Sequence, residues 1–300
     1  MNTPKVLTRI AEVRAVCDEE RRDGGTVGFV PTMGYFHDGH RSLMRAARSA
    51  NDLVVVSLFV NPTQFTPTED LDAYPCDVEG DTRAAGEEGV DVLFTPSVDE
   101  MYPQPGATTV HVSGLTDGLC GARRPGHFDG VTTVVTKLLS IIGPCRAYFG
   151  RKDAQQLAVV TRMVRDLDLP VEVVGCPLVR EPDGVAMSSR NAYLSDEERV
   201  AAAVLSRAIR AAADEIVRGE RAAEPIVRGV RGRIAAEPLV EIDYAELVDG
   251  TTLAPIERID GDALLAIAAY IGRARLLDNC SISVSSDDVT VDLGVTTQDF

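Results

Sequence analysis

The chain has 300 residues, 45% of them hydrophobic, which at about 150 residues per domain allows two domains with a core each and excludes a disordered chain. Thirty basic against 46 acidic residues leave a net charge of −16, which repels phosphate backbones and anionic membrane surfaces, so neither nucleic acid nor membrane is an expected partner. The longest apolar run, Leu53 to Val60 with one serine inside it, is far short of the roughly 18 residues of a membrane helix; with no signal peptide visible at the start, a cytoplasmic location is expected.

Short β-branched runs at Thr26 to Pro31 and Leu53 to Val60 read as strands buried on both faces, as in parallel sheets. Between them a helix from about Gly39 to Ser49 sets Leu43, Met44, Ala46 and Ala47 on one stripe and Arg41, Arg45 and Arg48 on the other, which makes a βαβ unit. The alternation repeats. Helices are expected over Thr82 to Gly89, Val131 to Ile142 and Ala154 to Leu167, each followed by a strand, at Val90 to Thr95, Ala147 to Gly150 and Val171 to Gly175. The pattern predicts an α/β, doubly wound parallel sheet over residues 1–180. From about residue 181 the texture changes to long helices, Ser195 to Arg218 and Ala222 to Ala235, and then strands at Val240 to Val248, Ala263 to Ile271 and Ile282 to Val284. Residues 181–300 are therefore expected to form a smaller α+β C-terminal domain.

Six cysteines lie scattered without a CxxC pair and read as free thiols, and lysine occurs only at Lys5, Lys137 and Lys152. Four segments carry polar chemistry. Pro31 to His40 (PTMGYFHDGH) stands where the first strand hands over to the first helix, with His37 and His40 three residues apart. Their rings share a face above backbone N–H groups that favour anions, and Gly39 admits a ligand to the backbone. The same residues also suit a helix cap with solvated histidines, or half of a metal site. Asn61 to Phe65 (NPTQF) follows the second strand; its amides can donate to a carboxylate and a hydroxyl, or simply form a proline turn. Gly150 to Gln156 (GRKDAQQ) again follows a strand: Lys152 can reach a phosphate, Asp153 can cap the helix and Gln156 faces the same side, with a capped helix start as the alternative. Met187 to Asn191 (MSSRN) brings two hydroxyls and a guanidinium to the expected boundary, as a polyphosphate loop or a capped linker. Arg123, Arg124 and His127 form one more basic cluster. Four anion-suited loops, three of them after strands, favour one nucleotide site.

PTMGYFHDGH, FVNPTQF, DLDAYP, RPGHFDGV, FGRKDAQQL, MSSRNAYLS and RLLDN occur along most of the chain in the order and approximate spacing of the pantothenate synthetase (pantoate–β-alanine ligase) family, within the HxGH nucleotidyltransferases, which the chain therefore resembles. The resemblance implies a Rossmann-like N-terminal domain, a smaller C-terminal domain covering the site, a homodimer, ATP and Mg²⁺. It implies a ligase of pantothenate biosynthesis that adenylates (R)-pantoate and passes the acyl group to β-alanine. By the family's motifs, Met33, Gly34, His37, Gly39, His40, Gly150, Lys152, Asp153, Val179, Met187, Ser188, Ser189 and Arg190 would bind ATP. His37, His40, Lys152 and Arg190 would carry the catalysis, with His40 in the proton-donor role. Gln64, Gln156, Asn61, Arg124, His127 and Tyr74 would bind pantoate or β-alanine, and Glu79 or Asp81 the metal. The chain departs from the family where Cys76 to Asp81 replaces an Arg-Thr and an acidic run, and where Arg151 and Ala154 replace an acid and a tyrosine. A relative joining another acid or amine, and a catalytically weak nucleotide-binding protein, remain open beside the family activity.

Overall fold

The computed structural model describes residues 3–65, 75–104, 106–285 and 288–299. In chain order it begins with β1 (Lys5–Leu7), α1 (Ile10–Arg22), β2 (Val27–Thr32), α2 (Asp38–Ala50), β3 (Leu53–Leu58), α3 (Val78–Glu87), β4 (Val92–Phe94) and the short α4 (Val98–Met101). Next come α5 (Leu119–Arg123), α6 (His127–Ile142), β5 (Cys145–Gly150), α7 (Ala154–Asp166), β6 (Val171–Cys176) and β7 (Val179–Arg180). The rest is α8 (Asp196–Val217), α9 (Ala223–Ala235), β8 (Val240–Asp249), β9 (Ala263–Ile271), β10 (Ala274–Val284), β11 (Val289–Asp292) and β12 (Val295–Thr296).

Contacts divide the chain into two compact units, differently from a single boundary near residue 180. The first unit is Met1–Ser113, Arg124–Arg151 and Gln156–Cys176; the second is Gly114–Arg123, Lys152–Gln155 and Pro177–Phe300.

In the first unit six parallel strands are ordered β1-β4-β3-β2-β5-β6. Every residue of β3 is buried. Val30, Val54 and Val56 pack with Leu43, Met44 and Ala47 of α2 and Ala85 of α3. Their neighbours Phe29 and Val55 point the other way and are also fully buried, as strands covered on both faces require. The arginine stripe of α2 ties it to the α3 end: Arg41 and Arg45 both reach Glu88, and Arg48 reaches Asp91. α3 starts four residues before the expected Thr82, because Asp77 caps it by accepting from the Gly80 N–H at 2.9 Å. From β2 the chain moves through α2 to β3 on one side, while the later β5 joins β2 on its other side. That reversal opens a crevice at the carboxyl ends of β2 and β5, where open α/β sheets take their ligands.

The second unit is built on an antiparallel sheet ordered β11-β10-β9-β8, with β12 pairing β7 separately. Alanines and isoleucines of α8 and α9 share a core with the inward residues of β8, β9 and β10. α8 opens on a capping box in which the Ser195 hydroxyl accepts from the Glu198 N–H and the Glu198 carboxylate accepts from the Ser195 N–H. The strand expected only at Ile282 to Val284 is the far end of the eleven-residue β10. Arg275, Asp278 and Asn279 break its apolar alternation, and each has a partner inside the unit.

Candidate active site

The turn after β2 is shaped by one carboxylate. Gly34 has φ +90°, and a Cβ there would lie 2.9 Å from Asp81 Oδ2, so both the backbone and the close approach call for glycine. The Tyr35 and Phe36 N–H groups donate to the two Asp81 oxygens, both at 2.7 Å. Asp81 is only 3% exposed; burial pushes its carboxyl up, while the two N–H bonds pull it the other way. This holds the loop so that His37 becomes the N-cap of α2 and His40 its third residue, with ring centroids 4.1 Å apart. His40 Nδ1 lies 3.4 Å from the His37 N–H. Both imidazoles are half-buried at the positive end of a 13-residue helix, where they can stabilise charge on a phosphate.

The turn after β3 presents its amides in a fixed order. Asn61 is buried; the Tyr102 hydroxyl donates to its Oδ1 at 3.0 Å, and its Nδ2 donates to the Gly130 carbonyl at 3.2 Å and to Gln64 Oε1 at 3.3 Å. Gln64 Nε2 therefore points to Met33 Sδ, 2.8 Å away. A thioether is a weak acceptor, so the Gln64 donors can turn to a carboxylate or hydroxyl ligand. Met33 and Gln64 bring the two turns together.

α6 is the platform beneath the second turn. A Cβ on Gly130 would lie 2.3 Å from the Thr63 carbonyl oxygen and 2.7 Å from Gln64 Cα, a backbone approach open only to glycine. His127 Nδ1 is 2.7 Å from the Gln64 carbonyl, and its Nε2 is 3.0 Å from Arg124 Nη1. With a carbonyl on one side and a guanidinium on the other, the ring is the neutral tautomer protonated on Nδ1. His127 thus supports Gln64 through its backbone, with both nitrogens engaged. Tyr102, whose ring lies 5.3 Å from Lys137 Nζ and whose phenol burial pushes up, was missed by sequence reasoning, as was Gly130. Tyr102 stands outside the quoted motifs, and Gly130, although it lies in RPGHFDGV beside the basic cluster, has no side chain to mark it.

The other expected residues divide between the units. Gly150, at the carboxyl end of β5, and Gln156 on α7 belong to the first unit. Lys152 and Asp153 belong to the second, with Lys152 Nζ 3.3 Å from Asp153 Oδ1. Gln155, also of the second unit, accepts from the Cys120 N–H and donates to the Leu115 and Gly118 carbonyls, which fixes its amide structurally. In the same unit Met187 donates its N–H to the Val179 carbonyl at 2.9 Å, Ser188 Oγ accepts from the Arg190 N–H at 3.2 Å, and Ser189 is buried. Arg123 parts from Arg124 and His127: it pairs within the second unit with Asp243, the residue bulged out of β8 between Ile242 and Tyr244. Tyr74 lies outside the described residues.

For the metal, Asp81 has both oxygens committed to the turn and Glu79 is exposed. Among the described residues no three His, Cys, Asp or Glu side chains converge on a common point. Mg²⁺ keeps several waters and substrate oxygens and needs only one or two carboxylates, so the exposed Glu79 has oxygens to offer it while those of Asp81 are already bonded.

A parallel sheet with its switch point at β2 and β5, a histidine pair on the helix N-terminus there and an amide pair in the turn after β3 are the features of a nucleotide-dependent enzyme of the α/β class. The sequence profile described as Pantoate-beta-alanine ligase matches residues 5–281. The chain is 55% identical over 280 residues to the pantothenate synthetase of Heliobacterium modesticaldum, covering 93% of this chain and all of that one, and 51% identical over 279 residues to that of Caldicellulosiruptor saccharolyticus, covering 93% and 99%. A solved pantothenate synthetase of Thermus thermophilus matches with TM-score 0.87 and 48% identity, covering 92% of this chain and 98% of that one. A pantoate–beta-alanine ligase of Francisella tularensis, solved in complex with beta-gamma ATP and beta-alanine, matches with TM-score 0.74 and 32% identity, covering 92% and 97%. The chain belongs to the pantoate–beta-alanine ligase family of enzymes.

Proposed function

We propose that the chain condenses (R)-pantoate with β-alanine at the expense of ATP, through a pantoyl adenylate. A pantoate carboxylate oxygen attacks the α-phosphorus and the bond to the β-phosphate oxygen breaks, releasing pyrophosphate. The free amine of β-alanine then attacks the acyl carbon, AMP departs on its phosphate oxygen, and the surplus amine proton passes to solvent. The observation that carries this reading is the meeting of the His37–His40 turn with the Asn61–Gln64 amides through Met33.

Adenylation needs in-line placement and stabilisation of charge spreading over phosphate oxygens more than it needs proton transfer. His37 and His40 supply donors over the α2 N-terminus beside Met33, Gly34 and Gly39, with His40 giving a proton to the departing phosphate. Lys152 and Arg190 supply charge, and Gly150, Asp153, Val179, Met187, Ser188 and Ser189 bind the rest of the nucleotide. Gln64 and Gln156 hold pantoate, Asn61 lies toward the amine, and Arg124 and His127 support the acid side. Mg²⁺, which the family resemblance implies, would supply counter-charge for the triphosphate, with Glu79 or Asp81 as the carboxylates that would hold it. The family resemblance also carries a homodimer. In the described residues no helix is long and apolar enough to cross a membrane.

The test is pyrophosphate release from ATP and Mg²⁺ with a panel of hydroxy acids including (R)-pantoate, repeated with β-alanine and other small amines, products being identified by mass. Pantoate-dependent release followed by pantothenate is expected. Release only with another acid, or another amine in the amide, overturns the substrate assignment; no release with any acid overturns the activity.

A further inference from the structure

RLLDN, at Arg275 to Asn279 on β10, is a motif to which no role has been attached so far, and it contains two buried polar side chains in succession. Asp278 is 2% exposed and Asn279 6%. Successive residues of a strand point to opposite faces, so the two work on different neighbours. Asp278 accepts from Arg180 Nη1 and Nη2, both at 2.8 Å, and Arg180 is itself 1% exposed. Arg180 further donates to the carbonyls of Leu293 at 2.6 Å and Gly184 at 3.0 Å. Asn279 Nδ2 donates to the Lys152 carbonyl at 2.8 Å, and its own N–H donates to Asp278 Oδ1 at 2.7 Å.

A buried ion pair is no more stabilising than a well-packed apolar pair of the same size, so its presence points to what it orients. Arg180 follows Val179 in β7. Ala186 pairs back on Arg180, Met187 bonds Val179, and Asn191 Nδ2 donates to the Ala186 carbonyl. One strand of the second unit therefore holds the Lys152 turn by Asn279, and the Val179 and Met187–Arg190 segments by Asp278. Lysine is long and flexible, and a fixed main-chain carbonyl defines where its side chain departs.

We propose that Asn279 is a positioning residue that acts on the reaction through Lys152, with the Arg180–Asp278 pair fixing the strand that carries it. The proposal rests on the assignment of Lys152 to the nucleotide. A misplacement of about 1 Å can lower a rate by up to about 100-fold, so Asn279→Ala is expected to lower kcat for pantoate-dependent ATP–pyrophosphate exchange at least tenfold, leaving the KM for pantoate unchanged.

The decisive measurement is a double-mutant cycle in the full-length protein with Asn279→Ala, Lys152→Ala and the pair, folding being checked by circular dichroism and thermal melting. If Asn279 acts through Lys152, the double variant is no slower than Lys152→Ala alone; a merely structural role makes the losses multiply. Asn279→Leu, close in volume but without the donor, is expected to match Asn279→Ala, and it carries the cycle if the alanine variant does not fold. Wild-type kcat in Asn279→Ala or Asn279→Leu, or multiplied losses in the double variant, overturns the positioning role while leaving Lys152 in place. Wild-type exchange in a folded Lys152→Ala, or no exchange by the wild-type protein with any acid, overturns the reading of the site and this inference with it.

Discussion

Gly130→Ala tests whether α6 sets the geometry of the amide turn. The added Cβ would lie 2.3 Å from the Thr63 carbonyl oxygen, 2.6 Å from its carbon and 2.7 Å from Gln64 Cα, all of them backbone atoms. Ordinary contact needs about 3.5 Å, so the turn or the helix must yield by about 1 Å. Overpacking of this kind costs about 1–3 kcal/mol, offset by about 1 kcal/mol of better helix propensity. The net loss is about 0–2 kcal/mol, a fall in Tm of a few degrees at this chain length. Activity is expected to suffer far more. Gln64 moves with Thr63, Asn61 Nδ2 loses its alignment on the Gly130 carbonyl, and a shift of about 1 Å can lower turnover up to about 100-fold. The assay is pyrophosphate release against (R)-pantoate concentration, beside a thermal melt. A folded Gly130→Ala protein with wild-type pantoate dependence would refute the argument that this approach places Gln64.

His40→Ala is expected to lower ATP–pyrophosphate exchange by about 100-fold or more with little change in Tm; full exchange in the folded variant contradicts the role of the histidine pair. Gln156→Ala should raise the KM for pantoate while leaving ATP affinity measured by calorimetry nearly unchanged, and an unaltered pantoate dependence counts against it. Asp278→Ala leaves Arg180 buried without its carboxylate and is expected to cost about 3–5 kcal/mol in denaturant unfolding, whereas a loss within about 1 kcal/mol would show the pair to be dispensable. Asp81 has its folded-state carboxyl pushed up by burial, so the folded protein holds the Asp81 proton more tightly than the unfolded chain, and this group's contribution falls as pH rises from the ordinary carboxylate range to the raised value. The stability cost of Asp81→Asn should therefore be largest near pH ~4 and shrink toward pH ~7, and a cost that grows with pH contradicts the sign.

Hydrophobic period and turn residues alone determined the α/β alternation, the long helices of the second unit and the two turns that end β2 and β3. Those signals are local: β-branched runs of six residues, apolar stripes at helical spacing, and a glycine or proline where each strand stops. The sequence also marked the histidine pair, the amides of NPTQF and the lysine of GRKDAQQ, because rare polar residues after strands stand out against an apolar background. What it left hidden is how a residue is held when its partner lies far along the chain. Asp81 reads as a candidate metal ligand until the fold brings it under Tyr35 and Phe36, 45 or so positions away. Gly130 reads as a helix-weakening glycine until Thr63 lies against it. Most of β10 escaped notice because Asp278 and Asn279 interrupt its apolar pattern, and only the tertiary structure supplies Arg180 and the Lys152 carbonyl that make those polar groups tolerable in a core. Burial of a polar side chain is decided by its partner, and a partner 98 or 127 residues distant leaves no trace in local periodicity.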